Sequence, residues 1–262
     1  MSMYKQLLVS DLDGTLLDEK QQISSENKAA IQAFQACGGQ FTIATGRMLS
    51  AALPYMEELN IQIPVILGNG TQIYCPKERR ILRSFLLENR ESEIDRLWKL
   101  QSKRVAVLAY IDDRILIPRR NTLISSYESK ENVQCEVSRT TPSRLNKLLV
   151  IGSTITDAIQ AVGELLTECV QSDTTYLELL PSGVSKGRAL RNLKQLAPLA
   201  DYRVTAIGDQ LNDCSLLTNA DYGIAVENAH PVLKEIAVSM TKHHCDHAIA
   251  AVINECLLVQ AR

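Results

Sequence analysis

The sequence predicts an α/β protein: a doubly wound, Rossmann-like parallel-sheet core with an inserted mixed α/β cap domain. Three observations predict it. Short apolar runs (Leu7-Leu8-Val9, Phe41-Thr42-Ile43-Ala44, Val65-Ile66-Leu67, Val204-Thr205-Ala206-Ile207) read as strands buried on both faces. Each run stops in a cluster of small and polar residues, with helical patterns between them, as in a sheet with one functional edge. Between residues 83 and 183 the pattern changes to a hairpin and a strand–helix–strand, and the first pattern then resumes. The expected division is therefore a core of 1–82 plus 184–262 and an inserted cap of 83–183.

Taken in order, Leu7-Leu8-Val9-Ser10 leads into Asp11-Leu12-Asp13-Gly14-Thr15-Leu16-Leu17, where Gly14 lets the chain leave the strand sharply. Ser24 is a natural N-cap; Ala30, Ile31, Phe34 and Cys37 form a helical stripe, and Gly38-Gly39 ends it. The second strand ends in Thr45-Gly46-Arg47. A helix is expected over 49–59, with Pro54 in its first turn or at a kink. Val65-Ile66-Leu67 is expected as a third core strand, followed by Gly68-Asn69-Gly70-Thr71. Ile94, Leu97 and Trp98 mark an amphipathic helix. Residues 105–110 and 115–117 flank Asp112-Asp113-Arg114 as a hairpin. Residues 119–143 are polar and carry no clear period. Leu148 to Ile151 reads as a strand, 154–170 as a helix and 175–179 as a strand. Lys186-Gly187 precedes a helix carrying Leu190, Leu193 and Leu196. The strand at 204–207 ends in Gly208-Asp209-Gln210-Leu211-Asn212-Asp213. Tyr222 to Val226 is the last strand, before Glu227-Asn228-Ala229, and a helix over 246–259 closes the sheet.

The composition excludes several classes of function. A chain of 262 residues, 45% hydrophobic, holds one large or two smaller domains with a real core. A formal net charge of -2 gives no footprint for nucleic acid or an anionic membrane. No apolar run approaches the ~20 residues that span a bilayer, and the opening Met-Ser-Met-Tyr-Lys-Gln shows no leader pattern. The seven cysteines are scattered, odd in number and lack a Cys-x-x-Cys pair, the usage of a reducing cytoplasm. A monomer or weak homo-oligomer acting on a small molecule is expected.

The chemistry collects where the strands stop. Asp11 and Asp13 repel, and a divalent cation or a shared proton would relieve them. Asp11 is a candidate nucleophile, because an aspartate can accept a phosphoryl group, and Asp13 a candidate acid/base. Asp209 adds a second acidic tip, and Asp11 with Asp209 would offer oxygens to Mg²⁺. Thr45 and the amides of Gly46 and Arg47 are donors at an expected helix start, and Lys186 is a compact cation for phosphate oxygens. Alone, Thr45 reads as a helix cap and Lys186 as a surface lysine; Asn69-Gly70 suits a turn or a pocket wall equally. His243-His244-Cys245-Asp246-His247 has the composition of a metal tract, but a solvated loop with Asp246 capping the last helix is the favoured reading over a metal site, because the two histidines are adjacent rather than at helical ligand spacing. Arg79, Arg80, Arg83, Arg119 and Arg120 read as a solvated basic face.

The four segments Asp11-Leu12-Asp13-Gly14-Thr15-Leu16-Leu17, Thr45-Gly46-Arg47, Lys186-Gly187 and Gly208-Asp209-Gln210-Leu211-Asn212-Asp213 resemble, in order, the four motifs of the haloacid-dehalogenase-like superfamily. The insertion between the second and third resembles that of its Cof-type branch, mostly sugar-phosphate and related phosphatases. The resemblance implies a Mg²⁺-dependent phosphatase for a small phosphorylated metabolite. Asp11 would form an aspartyl-phosphate, and Asp13 would serve as acid and then base. Mg²⁺ would sit between the Asp11 and Asp209 side chains and the Asp13 carbonyl. Thr45 and Lys186 would bind the phosphoryl group, Asn212 and Asp213 would support metal and phosphate, and Asn69 and Asn228 would line the pocket. Thr71, Leu216 and Asp246-His247-Ala248-Ile249 depart from the family pattern and bear on pocket shape. A phosphomutase and a non-catalytic sensor are the alternative readings.

Overall fold

A computed structural model of the chain describes residues 5–196 and 198–260, with side chains through residue 255 in the last helix. The opening residues 1–4 and the Cys256 thiol, both used in the compositional reading, lie outside the described residues and side chains. In chain order the elements are β1 (Gln6–Ser10), α1 (Ser25–Ala36), β2 (Gln40–Ile43), α2 (Leu49–Glu58), β3 (Val65–Leu67), β4 (Gln72–Cys75), β5 (Arg80–Ser84), α3 (Glu91–Lys99), β6 (Val105–Ile111), β7 (Arg114–Ile117), α4 (Thr122–Glu131) and β8 (Cys135–Val137). There follow β9 (Lys147–Gly152), α5 (Ile155–Val162), β10 (Cys169–Asp173), β11 (Tyr176–Leu179), α6 (Lys186–Leu196), β12 (Arg203–Gly208), α7 (Cys214–Asn219), β13 (Tyr222–Ala225), α8 (Pro231–Ile236), β14 (Ser239–Met240) and α9 (Ala248–Gln260).

The core is a parallel sheet of order β14-β13-β12-β1-β2. Strand β1, between β12 and β2, is buried on both faces, with Leu7, Leu8 and Val9 at 1% exposure or less, as a continuous apolar run requires. Ile31 and Phe34 of α1 pack into the same core, and Ser24 caps the helix by accepting from Asn27 N. Cys37, expected on that stripe, is instead its exposed C-cap. Pro54 stands in the second turn of α2 rather than the first, where it forgoes one helical hydrogen bond.

Val65–Leu67 does not continue the parallel sheet as expected. β3 pairs antiparallel with β4, and β4 with β5; β3 touches the core sheet through one parallel bridge, Ala44 to Ile66. The cause is local. Gly68, Asn69 and Gly70 all have positive φ, which reverses the chain at once. The expected boundary at 82/83 falls inside β5.

The inserted part is built on a six-stranded mixed sheet, β10-β11-β9-β6-β7-β8. Its strands alternate. Val105, Val107, Ala109, Leu148 and Val150 face α3 and α5, whereas Ala106, Leu108, Tyr110, Leu149 and Ile151 face the other way, together with Ile124 and Tyr127 of α4 and Met48 from the core. The helix expected over 154–170 stops at Val162. Gly163 takes φ 57°, and after a 3-10 turn the chain becomes strand β10. The unassigned polar stretch 119–143 holds α4 and β8. Likewise α9 starts at Ala248, after His247 in the left-handed region, so Asp246 does not cap it.

Phe34 is 2% exposed between α1 and the core. Phe34→Ala is expected to cost about 3–5 kcal/mol, read as a lower urea midpoint at unchanged slope; a loss under ~1 kcal/mol would contradict this packing.

Candidate active site

The site forms where β1 and β12 end side by side. Ser10 is in register with Ile207, and Asp11 N donates to Ile207 O (3.0 Å), carrying the ladder one residue past the strand. Asp11 is therefore fixed at the sheet edge, with Asp209 on the neighbouring strand end. Asp11 Oδ1 accepts from Leu12 N (2.7 Å), and Asp11 Oδ2 pairs with Lys186 Nζ (2.9 Å). Lys186 opens α6 and is fully buried; its ammonium also pairs with Asp213 Oδ1 (2.7 Å). Asp213 Oδ2 accepts the amides of Asp209 (3.0 Å) and Gln210 (3.1 Å), which shapes the turn after β12. Thr15 Oγ1 donates to Asp209 Oδ1 (3.0 Å). Gly14, at φ 70°, is required for this approach: a Cβ there would lie 2.4 Å from Asp209 Oδ2.

One ammonium faces three buried carboxylates. Burial first, then the Asp213 charge, pushes Asp11 well above the usual carboxylate range in spite of Lys186. Burial and Asp213 likewise push Asp209 up to about 8. The same carboxylates outweigh the burial of Lys186 and raise its pKa. The cluster thus has a deficit of positive charge. Asp11, Asp209 and Asp213 each bring a carboxylate oxygen within 4.8 Å of the others. Both Asp213 oxygens are already engaged, while the Asp13 carbonyl accepts no hydrogen bond from the described residues. An all-oxygen set with net negative charge fits a hard divalent cation.

Asp13 lies one step outward, its side chain 45% exposed. The Arg47 guanidinium holds both its oxygens, Nε to Oδ2 (2.9 Å) and Nη2 to Oδ1 (2.6 Å), and also reaches Gln21 Oε1 (2.9 Å). This corrects the expected use of the Arg47 amide, which donates instead to Thr45 Oγ1 (3.0 Å). The helix α2 begins at Leu49, as expected, so Thr45, Gly46 and Arg47 lie ahead of its first turn rather than in it. Thr45 is fully buried, and its hydroxyl keeps its own proton to donate. Asn69 and Asn212 meet, Asn212 Nδ2 donating to Asn69 Oδ1 (2.9 Å), while the buried Asn212 Oδ1 has no hydrogen-bond partner among the described residues. Asn228 does not line the cavity as expected: its Nδ2 donates to Gly14 O (2.8 Å) and its Oδ1 accepts from His244 N (3.0 Å), so it fixes the turn after Asp13 from behind.

Asp11, Asp13, Gly46, Arg47 and Asn212 floor a cavity of about 300 Å³ whose roof is the inserted sheet and α4. The roof brings groups that the sequence reading missed. Lys147 and Glu178 form a buried pair (2.8 Å). Lys147 also donates to Gly46 O (2.8 Å), and Glu178 accepts from Asn69 (2.9 Å) and Ser172 (2.7 Å). Glu131, at the end of α4, lies 3.8 Å from Arg47; burial first, then the Asp13 charge, raises it to about 7. Tyr110, Tyr127 and Tyr176 complete the wall. A signal for Glu178 was present, because its charge interrupts an otherwise apolar strand, and Lys147 heads the apolar run of β9. None of the five arginines read as a basic face lines this cavity.

A sequence model of the haloacid dehalogenase-like hydrolases matches residues 8–253. The chain is 28% identical over 279 residues to 5-amino-6-(5-phospho-D-ribitylamino)uracil phosphatase YwtE of Bacillus subtilis, covering 94% of this chain and 96% of that one. It is 27% identical to phosphatase YwpJ of the same organism, covering 96% and 99%. The X-ray structure of TM0651 from Thermotoga maritima superposes with a TM-score of 0.76 at 28% identity, covering 96% and 97%. No helix among the described residues is long and apolar enough to cross a membrane.

Asp209 holds its proton more tightly folded than unfolded, so unfolding releases that proton between about pH 4 and about pH 8. The stability it confers is complete below its unfolded pKa and is lost as pH rises through about 8. In EDTA, the melting temperature is expected to fall across this window, and Asp209→Asn is expected to flatten the fall. Parallel slopes in the two proteins would contradict the assignment.

Proposed function

The chain belongs to the haloacid dehalogenase-like hydrolases, in their Cof-type branch, and from that premise we propose that it is a Mg²⁺-dependent phosphatase of small phosphorylated metabolites, working through an aspartyl-phosphate on Asp11. The observation that carries this is the convergence of Lys186, Asp209 and Asp213 on Asp11 at the floor of a roofed cavity. Phosphoryl transfer needs chiefly positioning and charge neutralisation.

Asp11 would attack phosphorus with one carboxylate oxygen while the bond from phosphorus to the leaving oxygen breaks. Asp13 would give that oxygen a proton, then take one from the water that attacks the same phosphorus and frees Asp11. Lys186 holds Asp11 in place and offsets charge on the transferring group. To carry a proton, Asp13 must leave the Arg47 clamp, and Gln21 and Glu131 stand ready as other acceptors for the guanidinium. Mg²⁺, held by the Asp11 and Asp209 carboxylates and the Asp13 carbonyl, would neutralise the remaining negative charge and draw phosphoryl oxygens toward Asp11. The domain division belongs to the same proposal, with the first boundary moved past β5: the segment from there to about residue 183 roofs the site, excludes water and contacts the leaving group. Tyrosine faces and buried polar groups on that roof suit a sugar or polyol phosphate, and a relative is named for a phospho-ribityl substrate.

Asp11→Asn is expected to lower kcat on a generic phosphomonoester by at least ~10³-fold while keeping a native circular-dichroism spectrum and a cooperative melt, and EDTA to abolish wild-type turnover until Mg²⁺ is returned. Phosphate release at wild-type rate by the variant, or transfer of phosphate to a sugar instead of water, would overturn the reading.

A further inference from the structure

The loop ahead of α9 brings together three ligand atoms that the catalytic site does not use. His243 is extended (φ −58°, ψ 146°) and His244 begins a 3-10 turn, so the bend between them swings both rings to one side. Their centroids lie 4.6 Å apart. Adjacent histidines, which could not share a metal on a regular helix, do converge here. Cys245 joins them: one ring nitrogen from each histidine and the Cys245 Sγ all lie within 4.8 Å of one another.

One edge of the cluster has the length a metal centre requires, while His243 Nδ1 accepts from Cys245 N (3.3 Å) and would exchange that bond for the ion. Cys245 Sγ is 3.6 Å from His244 Nε2. Tetrahedral bonds of about 2.3 Å to a thiolate and about 2.0–2.1 Å to an imidazole set that sulfur–nitrogen edge at about 3.6 Å. His244 Nδ1 lies 2.7 Å from Leu17 O, and a carbonyl can only accept. Nδ1 therefore carries the proton, and Nε2, the atom beside the thiol, keeps its lone pair. A backbone carbonyl behind the free ring nitrogen is the usual outer support of a metal-bound histidine.

We propose that His243, His244 and Cys245 form a second metal site, for a soft or borderline divalent ion such as Zn²⁺, with a fourth position open to water. Two imidazoles and a thiolate favour such an ion, whereas the all-oxygen set around Asp11 suits a hard one, so with Mg²⁺ in excess the two sites prefer different ions. Binding releases the thiol proton of Cys245. The site is also tied to the catalytic turn. His244 N donates to Asn228 Oδ1, Asn228 Nδ2 donates to Gly14 O, and Leu17 O receives His244 Nδ1. An occupied site braces the backbone that follows Asp11 and Asp13 at two points, Gly14 and Leu17.

The probe is Co²⁺, titrated into the reduced, Mg²⁺-saturated full chain and followed by absorbance. The expected result is about one equivalent bound with a thiolate-to-cobalt ultraviolet band and the strong visible bands of four-coordinate Co²⁺, all bleached by Zn²⁺. Cys245→Ser should remove the ultraviolet band, and His243→Ala should weaken binding at least tenfold. Cys245 is exposed and touches no substrate, so Cys245→Ser should keep wild-type turnover with Mg²⁺ alone. Asp209→Asn should leave the spectrum intact, which separates this site from the catalytic one. Only the weak bands of six-coordinate Co²⁺, or a thiolate band that survives Cys245→Ser, would overturn the proposal.

Discussion

The structure depends on a charge imbalance at the end of its central strands. The register of β1 on β12 sets Asp11 beside Asp209, and the turn after β12 folds Asp213 back onto the amides of Asp209 and Gln210. Lys186 is buried between Asp11 and Asp213. Three buried carboxylates against one ammonium are costly in an apolar core. Burial and mutual repulsion raise Asp11 and Asp209. Such a cluster does not serve stability, because hydrophobic side chains of similar volume would stabilise the fold more easily.

The inserted sheet is registered on that site by polar groups, not by apolar contact alone. Lys147 reaches the Gly46 carbonyl and Glu178 reaches Asn69, while each satisfies the other. The hairpin turn contributes as well, Asp113 accepting from Ser50 N (2.9 Å) and Asp112 from Gln72 (3.1 Å). These bonds are directional, so they fix the roof over the carboxylates in one arrangement. Arg47 belongs to both sides, clamping Asp13 below and facing Glu131 above.

Much of this was legible in the sequence. Buried parallel strands read as unbroken apolar runs, and loops that carry chemistry follow them, which marks Asp11, Asp13 and Asp209; Lys186 gains its meaning from the order of the segments, and Asp213 from the resemblance to the family's motifs. The misreadings share one cause. β3 was assigned to the core sheet because apolar character does not reveal a partner strand; the three positive-φ residues after it decided for a hairpin. The helix at 154–170 ran too far because its apolar spacing continues past Gly163, where the backbone turns out of the helix. Asn228 was placed on the pocket wall by position alone, and it supports Gly14 instead.

By itself the sequence determined the α/β class, the strands that end in carboxylates and the identity of the groups that meet there, because burial and backbone freedom are written residue by residue. The tertiary structure alone decided that Arg47 acts through its side chain, that Lys147, Glu178 and Glu131 roof the cavity, and that two neighbouring histidines share a side with Cys245. Those facts rest on which distant segments come into contact and on which way each side chain points, and neither is encoded in local pattern.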